Sequence, residues 1–262
     1  MHPLPNRLYD AYIFDLDGTV YLGDHLLPGA QAAIDSLRAA GRKIAFLSNN
    51  PTQTRQVYAA RLTSLGLSTL PHEIINSSLV MVDFLQKNHP GGHLFVVGEA
   101  PLQNELIQAG FQMEEDYRKI EAVIASFDRT FSYRKLQIAF DALRAGAHFY
   151  ATNADRYCPV PGGGEPDAAS VIAAIEACTN RQVEAVVGKP SRYMADAILG
   201  LLGMPAAACL ITGDRLETDI MMGLQNGMDA ALTLTGATSE AELAGSAIQP
   251  TYIIRTLMDL VP

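Results

Sequence analysis

The chain has 262 residues, 48% of them hydrophobic, with 19 Lys and Arg against 28 Asp and Glu and a formal net charge of −9. That length suits one large domain or two ordinary ones with real cores, and nothing in the composition favours disorder. An acidic chain without a basic cluster excludes nucleic acid as a partner. The absence of any run near the ~18 apolar residues of a spanning helix excludes a membrane. The stretch from Met1 to Arg7 lacks a basic-then-apolar signal pattern, and Cys158, Cys178 and Cys209 show no CxxC spacing, so a reduced, cytoplasmic setting is expected.

Taken in order, the chain alternates strands and helices, which argues for a parallel sheet covered on both faces. Ala11 to Phe14 is an apolar run that reads as a buried strand, and it breaks into Asp15-Leu16-Asp17-Gly18-Thr19. After Pro28-Gly29 comes a helix with Ile34 and Leu37, then a strand over Lys43–Leu47 ending in Ser48-Asn49-Asn50-Pro51. A helix with Tyr58, Leu62 and Leu65 follows, and Ser77-Ser78 read as the cap of a helix from Leu79 to Gln86. A second alternating set runs without a Gly/Ser linker: strands at His93–Val97, Ala122–Ala125 and His148–Ala151, with helices between them. Pro159 to Gly164 is turn-rich and reads as an irregular, mobile loop before a helix over Asp167–Cys178. The third set has a strand at Val183–Val187, Gly188-Lys189-Pro190, a helix capped by Ser191, and a strand at Ala207–Thr212. That strand leads into Gly213-Asp214-Arg215-Leu216-Glu217-Thr218-Asp219, followed by a helix and a closing β/α unit.

Four strand ends therefore carry polar groups: Asp15 with Asp17, Ser48 with Asn49, Lys189, and Asp214 with Asp219. In a doubly wound sheet, reactive groups collect at these carboxyl ends. Two adjacent acids need a shared proton or a cation, and a hard divalent ion such as Mg²⁺ prefers oxygen ligands. Taken singly, each group has a plainer reading: Ser48 to Pro51 as a turn and helix cap, Lys189 as a solvated lysine, Asp219 as a first-turn helix acid. Together they suit phosphoryl transfer, which depends on positioning and on neutralising spreading negative charge. The six histidines are scattered without metal-ligand spacing.

The stretches Phe14 to Val20, Phe46 to Pro51, Val187 to Pro190 and Gly213 to Ile220 together resemble the haloacid dehalogenase (HAD) superfamily of phosphohydrolases. Within it the chain is similar to the NagD / p-nitrophenylphosphatase-type subfamily, and the stretches stand in family order. The resemblance implies a doubly wound, Rossmann-like core over 1–78 and 181–262, with an inserted α/β type-2 cap over 79–180. It implies Asp15 as nucleophile, Asp17 as general acid and base, Ser48 and the Asn49 amide as phosphate ligands, and Lys189 as the neutralising cation. Asp214, Asp15 and the Asp17 carbonyl would hold Mg²⁺, with Asp219 nearby, and Gly18 and Thr19 would turn backbone amides toward phosphate. Asn50 is counted with the phosphate-binding turn, and Asp155 and Arg156 of the cap are expected to face the leaving group.

The function expected is a Mg²⁺-dependent phosphomonoester hydrolase for sugar phosphates, glycerol- or glycolate-type phosphates or nucleoside monophosphates. The competing class is a non-catalytic protein that binds Mg²⁺ and phosphorylated metabolites for regulation. Such a protein has no reason to keep Asp17 or a cap. A dehalogenase does not need Asp17, and a phosphomutase or phosphonate hydrolase places its cap between the first two motifs, where Asp15 and Ser48 leave no room. A homodimer is compatible with the pattern, since a cap–cap face would look like any amphipathic surface.

Overall fold

The run after Asp10 forms the strand Ala11–Asp15, and every residue in it is buried. A strand buried on both sides is what a central position in a covered parallel sheet requires. The computed structural model describes residues 4–160 and 162–261; His2 and Pro161, which figure in the sequence reading, lie outside them, as does the start of the stretch searched for a signal.

The chain divides into two compact units. The first contains the chain up to Ser48, Arg55–Ile75 and everything from Lys189 onward. Its six-stranded sheet runs in the order Tyr252–Ile254, Asp229–Thr233, Cys209–Gly213, Ala11–Asp15, Lys43–Ser48, Ile74–Asn76. Ala11–Asp15 pairs in parallel with both Cys209–Gly213 and Lys43–Ser48. Tyr12, Phe14, Phe46, Ile34, Leu37, Leu62 and Leu210 join one core cluster, so the helices over Ala30–Ala39 and Arg55–Ser64 pack on the sheet through the faces the periodicity marked. A short antiparallel hairpin, Tyr21–Leu22 with His25–Leu26, follows the opening strand and is absent from the sequence reading.

The second unit contains Asn49–Thr54 and Asn76–Gly188. Its five-stranded sheet has the order Ala185–Val186, His148–Ala151, Ala122–Ala125, His93–Val97, Gln112–Met113, all parallel. Phe95, Val123, Leu143, Phe149, Val171 and Ile175 form its own core.

Four expectations need correction. The strand expected at Val183–Val187 is only Ala185–Val186, and it pairs with His148–Ala151 in the second sheet. The second boundary therefore lies at 188/189 instead of 180/181, and the first at 75/76 instead of 78/79. Asn76, not Ser77 or Ser78, caps the helix Ser77–Asn88, its side chain accepting from the Leu79 N–H at 3.0 Å. The glycine run is not an irregular loop: Gly163–Pro166 pairs antiparallel with Tyr157–Val160 as a hairpin. Among the described residues no helix is long and apolar enough to cross a membrane.

Candidate active site

Parallel neighbours end on the same edge of a sheet, so Asp15, Ser48 and Gly213-Asp214 arrive together at the carboxyl edge of the first unit. Lys189 is buried there, and its Nζ donates to Asp15 Oδ1 at 2.5 Å and to Asp219 Oδ1 at 2.6 Å. Asp219 reaches this point from the π-helical turn Leu216–Ile220, where its other oxygen accepts from the Arg215 N–H at 3.3 Å. It is therefore not an ordinary first-turn helix acid. Asp214 Oδ2 accepts the Ala237 N–H at 2.6 Å.

Charge in this cluster is unbalanced. Carboxylate oxygens of Asp15, Asp214 and Asp219 lie within 4.8 Å of one another, with a single ammonium among them. Burial pushes the Asp15 carboxyl well up; Lys189 pulls it down, and Asp219 and Asp214 push it up again. Asp214 is pushed up to about 6, first by burial and then by Asp219. Burial alone would lower Lys189, but Asp15 and Asp219 outweigh it and keep the ammonium charged. Desolvated carboxylates of this kind each cost several kcal/mol unless compensated. Three acidic oxygens left with excess negative charge fit a hard divalent cation such as Mg²⁺.

Asp17 stands apart from that cluster. Its Oδ2 accepts from the Tyr21 hydroxyl at 3.1 Å, and the Arg61 guanidinium lies 4.5 Å over the Tyr21 ring. Burial raises the Asp17 carboxyl, against the opposing pull of Tyr21, Arg61 and Lys189. A carboxyl shifted this way holds its proton closer to neutral pH, as a proton donor must. Tyr21 and Arg61 were missed in the sequence, as was the 235–238 loop, where Thr235 Oγ1 donates to the Gly18 carbonyl at 2.6 Å.

Gly18 does something other than expected. Its N–H donates to the Tyr21 carbonyl at 2.8 Å, and the Thr19 N–H to the Leu16 carbonyl at 3.3 Å, so these amides close the turn. The residue sits at φ +84, and a side chain there would collide with Asp214 Oδ2. Glycine is required so that the turn can lie against that carboxylate. The Thr19 hydroxyl is buried without a hydrogen-bond partner among the described residues.

The remaining residues are placed as follows. Ser48 Oγ donates to the Tyr58 hydroxyl at 3.3 Å. Asn50 Oδ1 accepts from the Thr52 N–H at 2.9 Å and Thr52 Oγ1 at 2.7 Å, which closes a side-chain turn. In the second unit, Asn49 Nδ2 donates to Asp155 Oδ2 at 2.8 Å, while Arg156 is exposed.

A doubly wound sheet that brings three carboxylates and a lysine together at its carboxyl edge has the architecture of an α/β enzyme. The family model described as haloacid dehalogenase-like hydrolase matches residues 12–112, and a second HAD-hydrolase-like model matches 186–260. The sugar-phosphatase AraL of Bacillus subtilis is 38% identical, covering 95% of this chain and 90% of that protein. Among solved structures, a 4-nitrophenylphosphatase from Thermotoga maritima superposes with a TM-score of 0.92 at 31% identity, covering 96% of both chains. NagD from E. coli K-12 superposes with a TM-score of 0.87 at 29% identity, covering 96% of this chain and 98% of that one. The chain belongs to the haloacid dehalogenase-like hydrolases and is an enzyme of their NagD-like phosphatase branch. The non-catalytic alternative is thereby set aside.

Proposed function

We propose that this chain is a Mg²⁺-dependent phosphomonoester hydrolase acting on small phosphorylated metabolites through an aspartyl-phosphate. Sugar phosphates, glycerol- or glycolate-type phosphates and nucleoside monophosphates are the substrate classes. The observation that carries the reading is the buried Lys189 ammonium bridging Asp15 and Asp219 beside Asp214.

In the first step an Asp15 carboxylate oxygen attacks phosphorus, the bond from phosphorus to the leaving oxygen breaks, and Asp17 gives that oxygen its proton. In the second step Asp17, now ionised, takes a proton from water; the water oxygen attacks the aspartyl-phosphate and the bond to Asp15 breaks. Tyr21 holds the Asp17 carboxyl in place for both transfers. Lys189 neutralises Asp15 and the phosphoryl oxygens, with Ser48 and the Asn49 amide as further donors. Asp15, Asp214, Asp219 and the Asp17 carbonyl would hold the metal, which supplies Lewis-acid charge to the phosphoryl group when bound. Arg156, exposed in the second unit, is the proposed contact to the leaving group. That unit is the cap, a cytoplasmic setting suits the three free cysteines, and a homodimer is the assembly to test by sedimentation.

Phosphate release from p-nitrophenyl phosphate, with and without EDTA, tests the reading directly. Asp15→Asn is expected to abolish turnover while leaving the fold intact; turnover within about tenfold of the parent would remove Asp15 as nucleophile.

A further inference from the structure

The second unit contains a network of buried and half-buried polar side chains whose mutual hydrogen bonds no step above uses. Asp155 Oδ2 accepts from Asn49 Nδ2 at 2.8 Å and from Asn153 Nδ2 at 3.0 Å. Asn153 Nδ2 also donates to Asp167 Oδ1 at 3.0 Å, and its Oδ1 accepts the Thr152 hydroxyl at 2.8 Å. Thr152 in turn shares a 2.8 Å hydrogen bond with Ser126. Ser126, Thr152 and Asn153 are wholly buried, and Asp167 and Asn49 nearly so. A satisfied network in a low-dielectric interior is stiff, because moving one member leaves another unpaired.

Its Asn49 end lies on one of the chain's motifs, and a second motif packs beside it. Asn49 follows Ser48 directly, and the turn it begins is fastened elsewhere too. Ser77 Oγ donates to the Asn49 carbonyl at 2.6 Å, and Asn76 Nδ2 to the Gln53 carbonyl at 3.1 Å. The second is Gly188, which precedes Lys189. A side chain at Gly188 would come within 2.5 Å of the Thr152 carbonyl oxygen and 2.7 Å of Asn49 Oδ1. The Asn49 side chain thus donates to Asp155 and lies close against the Gly188 backbone.

We propose that Asp155 is a positioning residue that acts through Asn49, holding the phosphate-binding turn, and is not a reader of the leaving group. The proposal rests on the phosphatase reading above. Two amides converge on one charged oxygen, and such charge-assisted bonds are the strong ones. An Asn49 that loses its bond to Asp155 loses one restraint on its side chain, and small misplacements of a donor are costly in rate. Because every phosphate ester presents the same phosphoryl group to this turn, the loss must not depend on the leaving group.

The experiment measures phosphate release from p-nitrophenyl phosphate, whose leaving group has no hydroxyls to be read, and from glucose 6-phosphate, which is rich in them. Asp155→Ala is expected to lower kcat about 10- to 100-fold on both substrates alike. Asp155→Asn, whose amide oxygen still accepts from Asn49, stays within about fivefold of the parent. N49A/D155A is no slower than N49A. A loss tenfold greater on glucose 6-phosphate, losses that multiply in the double variant, or an Asp155→Asn as slow as Asp155→Ala would each overturn the proposal. Should Asp155→Ala not fold, N49D carries the comparison, since it sets two carboxylates against each other. N49D is then expected to lower kcat on both substrates alike, and a loss tenfold greater on glucose 6-phosphate overturns the proposal. The phosphatase reading itself fails only in the parent and Asp15→Asn, the positioning role only in the Asn49 and Asp155 variants.

Discussion

Lys189 shows most directly how the centre works as a set. Its ammonium touches both Asp15 and Asp219, at 2.5 and 2.6 Å. Replacing it with methionine keeps the length and removes the charge, so the buried acids must take up protons and the nucleophile is quenched. Lys189→Met is expected to cost about 2–3 kcal/mol of transition-state stabilisation, read from kcat/KM on p-nitrophenyl phosphate; a change under twofold would move the lysine out of the chemistry. Asp15, Ser48, Lys189 and Asp214 were legible in the sequence because each sits beside a strong local signal, an apolar strand that stops. Tyr21, Arg61 and Ala237 were not, because each joins the site from an element distant in sequence or through a hairpin too short to show a period. The Gly18 turn was legible as a turn but not in its purpose, since nothing local says that Asp214 will lie against it.

At the scale of elements, the helix Ser77–Asn88 carries a double load at its N-cap. Asn76 caps the helix through its oxygen and holds the Gln53 carbonyl through its nitrogen. Asn76→Ala removes both bonds from a wholly buried position and is expected to destabilise by about 1–2 kcal/mol in a urea melt. A loss under about 0.3 kcal/mol would mean that neighbouring serines take over the cap. The sequence revealed nearly all the helices and the long strands, because amphipathic period and stop signals are local. It misplaced Ala185–Val186, since a two-residue edge strand is chosen by the partner it meets and not by its own residues. The glycine run misled for a related reason: Gly163 and Gly164 gain a strand only by pairing with Val160 and Pro159, and the Tyr157 ring lies where a Gly164 side chain would stand.

For the molecule as a whole, three acids sharing one lysine make the first unit a linked system whose stability depends on what neutralises the excess. A cation that binds only the folded centre stabilises it by mass action, by about 2.7 kcal/mol at one hundred times its dissociation constant. Mg²⁺ is therefore expected to raise the melting temperature measured by calorimetry, and Asp214→Ala to abolish the rise. An unchanged melting temperature in the parent would count against the cluster as a metal site, independently of any assay of turnover.

The division of the chain also bears on how such proteins can be rebuilt. The short piece Asn49–Thr54 groups with the second unit although the sequence around it, Ser48 and Arg55, belongs to the first. Anyone grafting a foreign cap in place of 76–188 would leave that hexapeptide behind, stripped of Asn76, Ser77 and Asp155. A working chimera is therefore expected to need both pieces moved together, and one that carries 76–188 alone is expected to lose the three bonds that hold 49–54.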